Sequence, residues 1–192
     1  MRVITGEARG RKLKAVEGLA TRPTTERTKQ SLFNAIQFDI EGRRVLDLFA
    51  GTGQLGIEAL SRGAADCVFV DQASAAVAVI RENLHTVGFE KRAEVIQGEA
   101  LGVLRRFPPD RFGLIFLDPP YEANLIAGAL ERIMRGRLLR EGGLIVCETL
   151  KEEKLPAGTG GVETLKEYVY GKSRITLLTR RGELPNGGEV QA

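Results

Sequence analysis

The strongest constraint on the fold is a regular alternation of short apolar segments with segments of helical periodicity. Helices are predicted at residues 55–62, 75–87, 101–107 and 126–135. The apolar segments before, between and after them are predicted strands, at residues 45–49, 67–70, 93–97, 112–117 and 144–147. Such strand–helix alternation indicates an α/β fold with a mostly parallel sheet and helices on both faces.

The two ends of the chain depart from this alternation. Arg22-Pro23-Thr24-Thr25 is typical of a helix start, and Leu32, Phe33, Ile36 and Ile40 follow it at helical spacing. Residues 165–169 and 175–178 are two further apolar segments with no helix between them. They predict an antiparallel hairpin at the edge of the sheet.

Composition narrows the class of protein. The 192 residues are 43% hydrophobic and 28% charged, which is ordinary for one main globular domain. No apolar run has the length of a membrane span, and no signal peptide is visible, so a cytoplasmic location is expected. Cys67 and Cys147 lie in apolar runs and are expected to be buried thiols.

Positive charge is concentrated near the start of the chain. Residues 1–30 hold eight Lys or Arg against three Glu, a balance of +5, which leaves −2 for all other residues. Turn signals at Gly6 and Gly10 predict a basic hairpin. Either a solvated face or contact with a polyanion would explain this charge, and the candidate phosphate-binding side chains are Arg9, Arg11, Lys12 and Arg22.

A glycine-rich turn follows the first predicted strand. Gly51, Gly53 and Gly56 fit G-x-G-x-x-G, a spacing that lets a backbone approach a nucleotide closely. Asp71 ends the second predicted strand, where an acid can hold ribose hydroxyls. Both NAD and S-adenosylmethionine (SAM) present such a ribose.

Two acids favour SAM over NAD. Asp47 lies inside the strand before the glycine turn, where a carboxylate is costly unless it meets a partner. The methionine end of SAM carries an ammonium group that can be this partner, whereas a dinucleotide carries none. Asp118 ends the fourth predicted strand and would share the crevice outside the carboxyl ends of the strands.

The stretch Asp118-Pro119-Pro120-Tyr121 suits the methylation of an exocyclic amine on a nucleobase. Such an amine is a poor nucleophile, and acceptors that hold its N–H groups favour positive charge on nitrogen. The Asp118 carboxylate and the Pro119 carbonyl are the candidate acceptors, and Tyr121 can stack on the base. His85, the only histidine, has no Cys or His companions, so no metal site is expected.

Four stretches together resemble the RsmD family of SAM-dependent 16S ribosomal RNA (guanine-N2) methyltransferases: RPTTERTKQSLFNAI, VLDLFAGTGQLGIEALSRGA, FLDPPY and YGKSRITLL. The resemblance runs from Arg2 to about Thr179. It implies a Rossmann-like class I methyltransferase fold with a seven-stranded sheet and an N-terminal β-hairpin. It also implies 16S rRNA as the substrate, free or within an assembling small subunit.

The resemblance also implies roles for individual residues. Asp118, Pro119 and Tyr121 match the amine-binding motif, whereas Asp47, Gly51, Gly53 and Asp71 match the SAM motifs. Glu99 and Ala100 stand where the family contacts adenine, although the acid there is more usually aspartate.

The expected organisation is a basic hairpin extension at residues 1–20, a methyltransferase domain at 21–180 and a disordered tail at 181–192, in a monomer. Three alternatives remain open at this point. They are an adenine-N6 methyltransferase acting on DNA or RNA, a non-catalytic RNA-binding module on the same fold, and an NAD-dependent dehydrogenase that uses the glycine-rich turn.

Overall fold

The computed structural model describes residues 1–16, 26–119, 123–153, 155 and 161–182, without the side chains of Ala123 and Asn124. Three expectations therefore fall outside the described residues: the helix start at residues 22–25, the position of Tyr121, and most of the tail. Arg22 lies outside them as well.

Seven strands and five α-helices form the described part of the chain. The helices are α1 (Glu26–Ala35), α2 (Gln54–Ser61), α3 (Ser74–Val87), α4 (Ala100–Val103) and α5 (Ala123–Arg135). The strands are β1 (Arg44–Asp47), β2 (Asp66–Asp71), β3 (Ala93–Gln97), β4 (Phe112–Leu117), β5 (Leu139–Leu150), β6 (Val162–Tyr170) and β7 (Ser173–Arg180). Short 3-10 turns cover Gln37–Asp39, Glu90–Arg92 and Leu104–Arg106.

The strands form one sheet in the order β3-β2-β1-β4-β5-β7-β6. The first five strands are parallel, and β7 is antiparallel to both β5 and β6. This arrangement confirms the predicted mostly parallel sheet and the terminal hairpin. The second strand of the hairpin, β7, pairs with β5, and the first strand, β6, lies outside β7. The edge strand is therefore β6.

Alternating side chains of the central strands feed two hydrophobic cores, one on each face of the sheet. Val45, Phe69 and Phe116 belong to the first core, which α1, α2 and α3 cover. Leu46 and Ile115 belong to the second core, which α4 and α5 cover. Because neighbouring residues of a strand point to opposite faces, one run of apolar residues supplies both cores. The two cysteines are buried, as predicted.

The N-terminal segment packs against the domain as part of its first core. Val3, Ala8 and Leu13 are buried in the same cluster as α2. Arg2 and Lys12 form an antiparallel bridge, and the N–H of Val3 donates to the carbonyl of Arg11 at 2.9 Å. The N–H groups of Gly10 and Leu13 also donate to the carbonyls of Val3 at 2.9 Å and Met1 at 3.1 Å, so the segment is a short hairpin, although neither limb forms an extended strand.

Candidate active site

Three acids meet at one edge of the sheet. Asp47, the last residue of β1, is in register with Phe69 of β2 and Phe116 of β4. Asp71 and Asp118 lie two residues beyond those partners, so all three acids follow the same face of the sheet. They surround the crevice between β1 and β4, where the strand order reverses and where ligands of open α/β sheets bind.

Asp47 is a buried carboxyl group with one backbone partner. It is 2% exposed, and its Oδ2 accepts a hydrogen bond from the N–H of Gly56 at 3.0 Å. Burial raises the pKa of Asp47 to about 7, and the nearby Asp71 adds to this rise against the lowering effect of the Gly56 N–H. A cation at this position would stabilise the ionised form.

Gly56 makes that hydrogen bond possible. A Cβ atom at this position would lie 2.3 Å from Cε1 of Phe69, so only glycine lets the first turn of α2 approach β2 this closely. The close approach brings the Gly56 N–H to Asp47. The third glycine of the motif therefore serves helix–strand packing.

The loop before α2 leaves room for a ligand. Gly51 and Gly53 have φ angles of +54° and +75°, which side chains of L-residues rarely adopt. Among the described residues, no neighbouring atom lies within 4 Å of a Cβ built on Gly51. The N–H of Ala50 donates to the carbonyl of Val70 at 3.0 Å and fixes the loop against β2.

Asp71 joins the end of β2 to the glycine loop. Its Oδ2 accepts a hydrogen bond from the N–H of Gly51 at 2.8 Å, and its Oδ1 accepts one from the N–H of Ala73 at 2.9 Å. A carboxylate has about four acceptor positions, so these two bonds leave capacity for a pair of hydroxyl groups.

Glu99 caps the short helix after β3. Its carboxylate accepts hydrogen bonds from the N–H groups of Leu101 and Gly102, and Ala100 is the first residue of the helix. Glu99 is exposed, and Ala100 is half-buried. The carboxylate of Glu99 thus has a clear local role as an N-cap, which the sequence did not indicate.

The motif that is predicted to bind the target amine begins directly after β4. Asp118 is half-buried and Pro119 is buried. The carbonyl of Phe116, two residues earlier, accepts a hydrogen bond from the N–H of Leu48 at 3.2 Å, which ties the end of β4 to the residue after β1. This places Asp118 and the glycine loop on either side of one crevice.

Glu58 anchors the N-terminal segment to α2. It is fully buried and accepts hydrogen bonds from the N–H groups of Ile4 at 2.8 Å and Thr5 at 3.0 Å. It also forms ion pairs with Lys29 at 3.5 Å and Arg62 at 2.9 Å. Burial lowers the pKa of Lys29, and Glu58 opposes this effect.

Lys29 is 1% exposed, and its Nζ donates to the carbonyl of Arg2 at 2.8 Å. It therefore belongs to the packed interior, although it is one of the eight cations counted in residues 1–30. Arg9, Arg11 and Lys12 are exposed, as a phosphate-binding surface requires.

The roles of Glu58 and Asn83 were not predicted from the sequence. Asn83 is buried in α3 and bonds to the backbone of Lys14 and of Thr52. The available signal was a polar residue on an apolar helical stripe, three residues after Ile80 and next to Leu84. A polar side chain in such a position is costly without partners, so it predicts a buried hydrogen-bond network.

The described residues give little support to thiol catalysis, a metal site or a membrane-spanning helix. Burial raises the pKa values of Cys67 and Cys147, so neither is a ready thiolate. Across the described ranges, no group of three His, Cys, Asp or Glu side chains could hold a metal ion. None of the helices described is long and apolar enough to cross a membrane.

A cleft of about 570 Å³ lies at the amino ends of the strands, away from the acids described above. Its lining includes both signs of charge, and ion pairs at 2.8 Å join Arg43 to Asp39 and Arg180 to Asp110. Ligands of open parallel sheets bind at the carboxyl ends, so the crevice around Asp47 is the candidate active site.

Comparisons with known proteins identify the family of the chain. YlbH of Bacillus subtilis, named provisionally as an rRNA methyltransferase, is 42% identical over 95% of this chain and 100% of its own length. Ribosomal RNA small subunit methyltransferase D of Haemophilus influenzae is 37% identical over 81% of each chain. The solved structure of yhhF from Escherichia coli, described as a candidate methyltransferase, has a TM-score of 0.81 at 34% identity. The superposition covers 94% of this chain and 97% of the yhhF chain.

The family model described as "Conserved hypothetical protein 95" matches residues 1–179. Together with the seven-stranded sheet, the glycine loop and the acids at the strand ends, this match shows that the chain belongs to the RsmD family of rRNA methyltransferases.

Proposed function

We propose that this protein is a SAM-dependent rRNA methyltransferase and that it methylates the exocyclic N2 amino group of a guanine in 16S rRNA. The observation that carries the proposal is the position of Asp118-Pro119 beside β1, across one crevice from Asp47 and the glycine loop. An amine acceptor and a candidate SAM site thus lie at adjacent strand ends.

The residues of the crevice fit SAM group by group. The buried Asp47 carboxyl, with a pKa raised to about 7, suits the ammonium group of the methionine end. Asp71 has acceptor capacity for the two ribose hydroxyls, and the open space over Gly51 leaves room for the nucleoside. Glu99 and Ala100, at the end of the next strand, are proposed to contact the adenine.

Asp118 and Pro119 are proposed to prepare the target amine. The Asp118 carboxylate and the Pro119 carbonyl accept hydrogen bonds from the two N–H groups and stabilise positive charge that develops on the nitrogen. Tyr121 is proposed to stack on the base and hold the nitrogen in line with the methyl group. SAM, when bound, would supply a methyl group on a sulfonium: the nitrogen lone pair would bond to the methyl carbon, the sulfur would leave as a thioether, and the extra proton on nitrogen would then pass to solvent.

The exposed cations of the N-terminal segment are proposed to bind the RNA backbone. Arg9, Arg11 and Lys12 are exposed on a segment that packs against α2, the helix that starts at the glycine loop. Arg22 is the fourth proposed phosphate contact. Phosphate contacts set the position of the RNA, and the crevice then selects the base.

The test is a methyl-transfer assay with labelled SAM on three substrates: free 16S rRNA, small ribosomal subunits and duplex DNA. The product is digested to nucleosides and identified by mass analysis. We expect N2-methylguanosine from ribosomal RNA, and an inactive Asp118→Asn variant that still binds SAM serves as the control. N6-methyladenosine would refute the proposed base, and label in DNA alone would refute the proposed substrate.

A further inference from the structure

The edge strand β6 carries a row of three side chains on one face: Lys166, Tyr168 and Tyr170. The two tyrosine rings are stacked, with centroids 6.1 Å apart and planes inclined by 12°. The Nζ of Lys166 lies 5.5 Å from the centroid of the Tyr168 ring. All three side chains are half-exposed, so part of this row faces solvent.

The register of the sheet puts this row on the same face as the candidate active site. Lys166 and Tyr168 pair with Leu177 and Ile175 of β7, which belong to the same core as Phe116. Paired residues of neighbouring strands point to the same side of a sheet. The row therefore shares its face with Phe116, and with Asp118 two residues further along the same strand.

The row also reaches the same edge of the sheet. Leu117 pairs with Cys147, which places Asp118 at the level of Glu148; Glu148 pairs with Ile175, and Ile175 with Tyr168. Tyr168 is thus level with Asp118 and three strands away, about 14 Å at the usual strand spacing. Tyr170 lies one step beyond, at the turn that contains Lys172.

From this geometry we propose that Lys166, Tyr168 and Tyr170 form a stacking platform for unpaired bases of the RNA strand that carries the methylated nucleotide. The platform rests on the function proposed above, because it needs a single-stranded nucleic acid at the neighbouring crevice. Aromatic faces accept any base, and lysines at both ends of the row attract the backbone.

The charges around the row favour a base over a phosphate at its centre. Glu148 lies between Asp118 and Tyr168 in the sheet and adds no positive charge there. Arg174 is taken up by Glu167 at 2.8 Å and by the carbonyl of Lys151 at 2.9 Å. Lys166 and the exposed Lys172 are therefore the cations at the two ends of the row that we assign to the backbone.

The test measures binding of a short single-stranded oligoadenylate that contains a fluorescent adenine analogue, whose emission reports stacking. Tyr170→Ala is expected to weaken binding about fivefold to a hundredfold and to abolish the stacking signal. Tyr170→Phe keeps the ring and is expected to bind within about twofold of the unaltered protein. Val169→Ser, at a 45% exposed position on the opposite face of the same strand, is the matched control.

SAM binding by calorimetry separates loss of the platform from loss of folding, since the Tyr170 variants are expected to bind SAM unchanged. Equal affinities of Tyr170→Ala and the unaltered protein would overturn the platform and leave the methyltransferase function standing. If Tyr170→Ala methylates free RNA normally and loses activity only on ribosomal subunits, the row contacts a protein partner. That result would also overturn the platform. An unaltered protein that neither binds the oligonucleotide nor methylates RNA would refute both proposals.

Discussion

The side-chain amide of Asn83 pairs with both backbone groups of Lys14, accepting from its N–H at 2.7 Å and donating to its carbonyl at 3.2 Å. The same amide donates to the carbonyl of Thr52 at 2.9 Å, inside the glycine loop. One buried side chain thus joins the basic N-terminal segment to the candidate SAM site.

Replacing Asn83 by alanine should destabilise the protein, because it leaves buried backbone groups without partners. We expect the free energy of unfolding to fall by about 1–3 kcal/mol, measured by urea denaturation. Glu82→Ala is the control. Glu82 pairs with the side chain of Lys14 but is exposed, so its loss should change stability little. Equal effects of the two substitutions would contradict the assigned role of Asn83.

The raised pKa of Asp47 predicts a pH-dependent affinity for SAM. If Asp47 binds the ammonium group, SAM selects the ionised carboxylate and releases a proton on binding. Affinity should then fall up to tenfold for each unit of pH below about 7 and level off above it. Calorimetry in two buffers with different ionisation enthalpies measures the released proton, and Asp47→Asn should abolish the release.

The same pKa predicts how stability without SAM depends on pH. Folding raises the pKa of Asp47 from 3.8 to about 7, so the folded state binds the extra proton between these values. The contribution of Asp47 to stability is therefore complete below pH 3.8 and is lost as pH rises to about 7. Asp47→Asn should flatten the fall in melting temperature across this window. An unchanged slope would show that Asp47 titrates normally.

Asp71→Ala should weaken SAM binding by about 1–3 kcal/mol, because it removes the proposed ribose acceptor and releases the N–H of Gly51. Asp66→Ala changes the acid at the opposite end of the same strand and is the matched control. Calorimetry of both variants with SAM and with NAD measures the effect. Binding of NAD in place of SAM would contradict the assignment of the cofactor.

Asp118→Ala should separate catalysis from cofactor binding. We expect methyl transfer to fall by about 10²–10³, the scale for loss of one preorganised electrostatic contact, with SAM affinity nearly unchanged. Single-turnover rates at saturating SAM measure this effect. A variant that keeps most of its rate would show that another group polarises the amine.

The triple substitution of Arg9, Arg11 and Lys12 by alanine should weaken RNA binding far more than SAM binding. If each side chain neutralises one phosphate of single-stranded RNA, the log–log dependence of affinity on salt should become shallower by about 0.7 per contact. All three side chains are exposed, so the melting temperature should stay close to that of the unaltered protein. An unchanged salt dependence would show that these three side chains belong to a solvated surface and do not contact phosphates.

Local patterns of the sequence were enough to predict the sheet and the position of the crevice. Apolar runs and helical periodicity located each of the seven strands found in the described residues, because buried parallel strands are continuously apolar and amphipathic helices are not. The acids at residues 47, 71 and 118 were placed together by one rule, that parallel strands share their carboxyl edge.

The tertiary structure alone decided what the buried polar groups do. The spacing of residues in the sequence does not show that Glu58 holds the backbone of Ile4 and Thr5, or that Asn83 reaches the loop at Thr52. These contacts join segments far apart in the chain, and they exist only after the helices have packed on the sheet. Lys29 is a further example: the charge count of residues 1–30 includes it, whereas its burial beside Glu58 is set by packing.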